Sequence, residues 1–349
     1  MADFLQLHLL TAYGPSNLNR DDTGRPKSVV FGGAPRLRVS SQSLKRAWRT
    51  SEVFKRGLDG HLASRTRRLG KDVLDRLTAG GLDEEQALGI AREIAGAFGK
   101  IKAEQDSQPT FIEQLAFVSP EERQRAFDLA DKAIAGEEIA INKDDLLTKA
   151  DSAADVAMFG RMLADSPKFN REAAVQVAHA ITTHKAVAED DYYTAVDDLK
   201  SRDEPEDAGA GFVGVQEYGS GVFYLYLCVD RGLLTRNLDN TIAVRNASLA
   251  ALVEAAATVS PGGKQSSFAS RARALYALAE KGTAQPRSLA AAFLRPVEGQ
   301  DQGQSSIQQL AEYRDRLDAA YGPCADDRCT MNVESGEGTL SDLLAFAVS

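Results

Sequence analysis

The chain has 349 residues, with 50 acidic and 41 basic side chains for a net charge of −9, and 43% of its residues are hydrophobic. That composition is globular and excludes disordered and collagen-like classes, and the length supports one large or two ordinary domains. Three cysteines, Cys228, Cys324 and Cys329, are too few for a disulfide framework and point to a reducing, cytoplasmic setting. No basic-then-apolar leader is visible at the start. The longest apolar run, Val222 to Val229, falls far short of the roughly 20 residues that span a bilayer, so no membrane partner is expected. An acidic average argues against a nucleic-acid partner unless the charge is unevenly distributed. It is.

Residues 3–10 alternate, with Leu5, Leu7 and Leu9 on one side, which predicts a half-buried strand. A loop rich in Gly, Pro, Asn and Asp follows from Gly14 to Pro35, and Arg36 to Val39 reads as a short strand. Ser40 to Arg56 reads as one helix, with Leu44, Ala47 and Trp48 on one face and Lys45 and Arg49 on another. Residues 36–56 carry seven basic side chains (Arg36, Arg38, Lys45, Arg46, Arg49, Lys55, Arg56) against one acid, Glu52. Residues 62–165 follow a helical pattern with breaks near Pro109 and Pro120, and 171–184 is expected to be a further helix. Nine acids crowd residues 189–207, before the glycine-rich run Gly209 to Gly221 and the clear strand Val222 to Val229. An Ala-rich helix is predicted over 241–257, strand or helix over 266–280, a helix near 305–320, and then a polar tail. Strands alternating with helices and one large helical excursion give an α+β class, read as a ferredoxin-like core with a helical insertion.

The segment from Arg36 to Arg49 carries the most chemistry. Ser40, Ser41 and Ser43 are all good N-cap residues, so a helix starts among them. Free N–H groups at that start, with the Gln42 amide and with Lys45 and Arg49 four apart, suit phosphates. A capped helix with a solvated basic face fits the same residues. Gly209 to Gly214 matches G-x-G-x-x-G but precedes a strand rather than a helix, so it reads as a bendable hairpin and not a dinucleotide site. His179 and His184 are five apart, off the spacing of paired ligands on one helix face, and Cys324 and Cys329 lack a second ligand pair for zinc. Asp21 and Asp22 are turn residues or, alternatively, a Mg²⁺ pair for phosphodiester cleavage.

Several segments together resemble the CasC-type backbone subunit of the type I-E CRISPR Cascade complex, within the RAMP superfamily. They are Pro15 to Asp22, Phe31-Gly-Gly33, Ser40 to Ala47, Gly160-Arg-Met162, Ala178 to His184, Thr194 to Leu199, Gln216-Glu217 and Ser220 to Tyr224, with Gly263-Lys-Gln265 a weaker match. The resemblance implies an RRM/ferredoxin-like palm (residues 1–58 and 179–349), helical fingers (59–178) and a glycine-rich hairpin thumb near 186–221. It implies a non-catalytic subunit without cofactor or metal that stacks in copies along a guide RNA (crRNA) and presents it to target DNA. Other Cascade subunits and a recruited helicase-nuclease are the further partners. The implied RNA contacts are Arg20, Lys27, Ser40, Gln42, Lys45, Arg49, Thr194 and Lys264, with Met162 and Phe212 or Val213 wedging a displaced nucleotide. Related type III subunits cut target RNA with a loop aspartate, which makes a ribonuclease using Asp21 or Asp22 the alternative.

Overall fold

The computed structural model describes residues 3–195 and 212–349. Among them the chain forms eleven strands and twelve helices. The long strand β1 (Phe4–Ser16) lies antiparallel between β9 (Phe212–Asp230) and β10 (Ala274–Gly282), with Leu7 opposite Leu227 on one side and Ala279 on the other. Beyond β10 comes β11 (Asp327–Asn332). On the far side of β9 lie β6 (Val175–Val177) and β7 (Ala180–Thr182), then β3 (Ala34–Val39) and the edge strand β2 (Ser28–Phe31). The strand β8 (Glu189–Ala195) pairs with the first residues of β9, completing a nine-stranded sheet whose pairs are all antiparallel.

Side chains alternate across β1, so Leu5, Leu7 and Leu9 enter one core while Leu10 enters another. The first core holds Trp48 of α1 (Ser41–Arg49), Phe54 of α2 (Glu52–Gly57), Leu249 and Leu252 of α9 (Ile242–Thr258), and Leu343 of α12 (Leu340–Val348). On the opposite face, Tyr224, Tyr276, Leu278 and Phe293 pack under Ile307 and Leu310 of α11 (Gln302–Tyr321). The strand expected to be half-buried is therefore buried on both faces, because α11 covers the side that carries Gln6 and His8.

Between α2 and β6 the chain builds a separate core around Val73, Leu77, Ile94 and Phe98. Its helices are α3 (Leu69–Ala79), α4 (Glu84–Gly96), α5 (Pro120–Ile134) and the short α6 (Lys143–Leu146), while α7 (Ala154–Phe159) returns to the first core. A two-stranded sheet of β4 (Ser64–Thr66) and β5 (Ala116–Val118) interrupts the expected helical run.

Other expectations change too. The loop expected from Gly14 to Pro35 contains the edge strand β2, drawn out by pairing with β3. The single helix over 40–56 breaks at Thr50–Ser51, where the Thr50 hydroxyl donates to the Arg46 carbonyl and the Ser51 hydroxyl donates to Trp48 O and caps Phe54 N–H. Residues 171–184 are not a helix, since Val175–Val177 and Ala180–Thr182 are drawn into the sheet beside β9. The polar tail holds β11 and α12, the latter closed by a Thr339–Asp342 capping box. Residues 241–257 and 305–320 are helical as expected, and the ambiguous stretch is divided between the short α10 (Gln265–Phe268) at its start and β10 at its end. Among the described residues, no helix is long and apolar enough to cross a membrane.

Candidate nucleic-acid interface

Helix α1 starts where the loop after β1 folds back on β3. Ser40 is its N-cap: the Ser40 hydroxyl accepts the Ser43 N–H at 3.3 Å, and the Ser40 N–H donates to Asn19 Oδ1 at 2.9 Å. The Ser41 N–H donates to His179 Nδ1 at 2.9 Å, so the imidazole proton sits on Nε2. Burial lowers the His179 pKa, and the nearby Arg38 and Lys27 lower it further, which keeps the ring neutral and able to accept. The helix start is thus less open to an anion than its serines imply. Among the described residues only the Gln42 N–H of that first turn keeps no partner, and it stands beside the exposed Gln42 amide.

The basic stripe is smaller than its count. Arg36 is fully buried, donating to Thr182 O at 3.1 Å and Phe293 O at 2.7 Å, so it pins the sheet rather than facing a ligand. Lys55 pairs with Glu52 at 2.7 Å and Arg56 with Glu254 at 2.8 Å. Arg49 leans toward the buried Asp155 at 3.6 Å, with its guanidinium 5.1 Å from the Phe117 ring centre. Burial raises the Asp155 carboxyl to about 6, against the Ala63 N–H bond and the Arg49 charge. Arg20, Lys27, Arg38, Lys45 and Arg46 make no ion pair among the described residues. They are the unpaired cations around the start of α1.

Two clefts flank α1. One, of 690 Å³, lies between Asn19, Arg20 and Asp22 of the loop, Ser43 and Arg46 of the helix, and Gly262-Gly263. Gly263 is required there, because a Cβ would fall 2.3 Å from Leu18 O. Next to it, Lys264 donates to the Gln216 side chain at 3.0 Å, at the foot of the β8–β9 hairpin. The second cleft, of 460 Å³, has Gln42, Lys45, Arg46 and Arg49 on one wall and Arg65, Leu115 and Phe117 on the other, with Gly160 also lining it. Arg46 borders both.

Asp21 serves its own loop. Its Oδ1 accepts from Thr23 N–H, the Thr23 hydroxyl and Arg25 N–H at 2.9, 2.8 and 3.0 Å. The Thr23 hydroxyl bond comes first among the causes that hold this carboxyl below its ordinary range. The Arg25 side chain pairs with Glu217 at 2.5 Å, and Asp22 is exposed beside it in the turn. Among the described residues no three His, Cys, Asp or Glu side chains gather into a metal-holding group.

Met162 stands apart from these clefts and is 82% exposed, although both its neighbours are buried. Arg161 donates to Glu122 Oε2 at 2.6 Å and to the carbonyls of Phe117, Thr148 and Phe169, while Leu163 N–H donates to Asn170 Oδ1. Gly160, with φ of +80°, turns the chain into this mount where a Cβ would press on the Arg171 carbonyl at 3.0 Å. A thioether is thus presented on a rigid pedestal. Thr194 is exposed on β8 opposite Val213, and Phe212 pairs with Ala195. The side chains of Phe212 and Val213, the start of the glycine run (209–211) and the hairpin tip lie outside the described residues.

The structure therefore gathers Arg20, Ser40, Gln42, Lys45 and Arg49 at α1, with Lys27 near His179. It places Met162, Lys264 and the β8–β9 hairpin as separate elements. Sequence reasoning names Arg46 and Arg38 only as members of the basic stripe, and does not reach Arg65 or the contact from His179. Arg46 has a signal, its position four residues after Gln42; the other three depend on contacts distant in the chain.

The chain is an α+β protein with a nine-stranded antiparallel sheet and unpaired cations around a capped helix, and comparison narrows the class. A solved structure described as "CRISPR RNA-guided surveillance complex, pre-nicking" contains a chain that is 30% identical, with a TM-score of 0.86 over 99% of both chains. A second, described as "CRISPR RNA-guided surveillance complex", is 26% identical with a TM-score of 0.73, again over 99% of both chains. A comparison with curated protein sequences found no match. The family model described as "CT1975-like protein" matches residues 5–345, and the chain belongs to that family.

Proposed function

We propose that the protein is the repeated crRNA-binding backbone subunit of a type I-E Cascade surveillance complex in the cytoplasm and does not itself cut nucleic acid. The observation that carries this reading is the set of unpaired cations, Arg20, Lys27, Arg38, Lys45 and Arg46, around the start of α1. They occur in a chain that superposes over its whole length on a chain of an RNA-guided surveillance complex. In this reading β1, β7, β9 and β10 with the helices α1/α2 and α9 form an RRM/ferredoxin-like palm, since their spatial order is β10-β1-β9-β7. Residues 59–178 are the fingers, and the β8–β9 hairpin is the thumb. Phosphate contacts and apolar wedges suit a subunit that must accept any guide, because neither reads a base edge and pairing with target DNA supplies the sequence. Copies of this chain stack along the guide, other Cascade subunits cap the array, and a recruited helicase-nuclease cuts. Asp21, engaged by its own turn, gives no support to the ribonuclease alternative.

Replacing Arg20 and Lys45 together with alanine tests the reading. RNA binding should weaken alike for unrelated sequences, and the slope of log affinity against log salt should fall by about 0.7 for each phosphate no longer neutralised. Titrations at several salt concentrations measure both. An unchanged slope, or a weakening confined to one sequence, would contradict the assignment.

A further inference from the structure

The cleft between α1 and the two-stranded sheet has a wall that the proposed contacts do not use. Arg65 on β4 and Phe117 on β5 are direct cross-strand partners, with the Arg65 guanidinium 5.6 Å from the Phe117 ring centre. Arg49 approaches the same ring from α1 at 5.1 Å. One aromatic side chain therefore holds two arginines, one from each wall, with Lys45 and Arg46 lining the same cleft. An arginine laid against a ring keeps its N–H edges free while its plane is fixed. Arg65 is exposed and makes no ion pair among the described residues, so nothing else accounts for its charge. Two like charges held near one ring repel each other, and an anion between them removes that repulsion. Asp155 supplies only part of the compensation, since it reaches Arg49 alone and its Oδ2 accepts no hydrogen bond. Gly160, two residues before Met162, lines the cleft, and the Phe117 carbonyl holds Arg161.

We infer that Arg65 is a further RNA-backbone contact, and that Phe117 is a positioning residue that aims Arg65 and Arg49 at one phosphate between α1 and β4. The inference rests on the RNA-binding reading above. It adds a second wall to the grip, so that the strand is held from both sides.

The test is titration of the full chain with a single-stranded RNA of mixed sequence at several salt concentrations, alongside thermal melts. Arg65→Ala should bind about fivefold more weakly, with the salt slope lower by about 0.7. Arg65→Lys should keep the slope, because the charge remains, yet recover only part of the affinity. Phe117→Leu should weaken binding, and Phe117→Tyr should match the parent; the Phe117 carbonyl bond to Arg161 is untouched in both. If Arg65→Ala and Phe117→Leu lower only the melting temperature and bind RNA like the parent, the pair is cross-strand packing and the inference falls. Should Lys45→Ala weaken binding in that same series, the RNA-binding reading stands without it. If the parent chain binds no RNA, both fall together.

Discussion

Arg161→Met should lower the unfolding free energy by about 3–5 kcal/mol, because it strands a carboxylate that has no access to water. The Arg161 and Glu122 side chains are 1% and 0% exposed, and their 2.6 Å contact is the only ion pair Glu122 makes among the described residues. Ser119 N–H and Thr148 N–H also donate to Glu122, so the carboxyl is held in place when its cation is lost. Methionine fills much of the arginine volume, so a cavity is a minor part of the effect. Adding Glu122→Gln should recover part of the loss, since the buried charge is gone and the one amide oxygen still accepts either the Ser119 or the Thr148 N–H. Urea melts of the two variants check both statements. The mutation has a functional side as well. Four acceptors clamp Arg161, so its removal frees the mount on which Met162 is presented, and the spacing of wedged nucleotides should lose its regularity.

Glu280→Ala should cost about 3 kcal/mol or more by the same logic on the other face of the sheet. Glu280 is fully buried and faces His8 at 3.2 Å, Arg287 at 2.6 Å and Arg328 at 2.8 Å. Burial alone would raise its carboxyl, but the bonds from His8, Arg287 and Arg328 outweigh it and hold the group well below its ordinary 4.5. His8 is lowered from 6.5, first by burial and also by the charges of Arg287 and Arg314, against the pull of Glu280. The neutral ring accepts from the Tyr224 hydroxyl at 2.9 Å through Nδ1 and donates to Glu280 through Nε2. Both groups destabilise the fold in acid. Below about pH 6.5 the unfolded chain takes a proton on His8 that the folded chain refuses, so stability falls as pH drops through that window. Below 4.5 the unfolded chain also protonates Glu280 first, and a second loss begins. Urea midpoints from pH 8 downward should show the upper decline, and His8→Gln should lessen it while leaving the lower one, the remainder coming from His179 and His184, which burial also lowers. A midpoint that holds steady to pH 5 would contradict this reading of His8.

The parts of the fold that can be read from the sequence are those in which one local pattern decides the outcome. The alternation in β1, the apolar run inside β9, the Ala-rich α9 and the Ser40 cap are all legible because period and capping are properties of neighbouring residues. Residues 171–184 mislead because β6 and β7 are three residues each, separated by Ala178 and His179, and Val and Ala at those positions satisfy a helical period equally well. What makes them strands is the edge of β9, about which local sequence says nothing. The basic stripe shows the same limit for the site. Ser40, Gln42 and Lys45 stand where capping and charge place them, yet Arg36 and Arg56 are engaged by Thr182, Phe293 and Glu254, none of them near in the chain. The Arg65–Phe117 pair is invisible in the sequence for that reason, since α3 and α4 separate its two strands.

The measurement that bears most directly on the central claim is the RNA that co-purifies when this protein is expressed with its partner subunits and a repeat–spacer transcript. Ribonuclease treatment followed by sizing of the protected fragments reads the arrangement of subunits on the guide. A ladder of evenly spaced lengths is predicted, one step for each copy, and Arg20→Ala with Lys45→Ala should remove it. Purified complex with no protected RNA, or with a single protected length independent of the amount of this subunit, would contradict a backbone role.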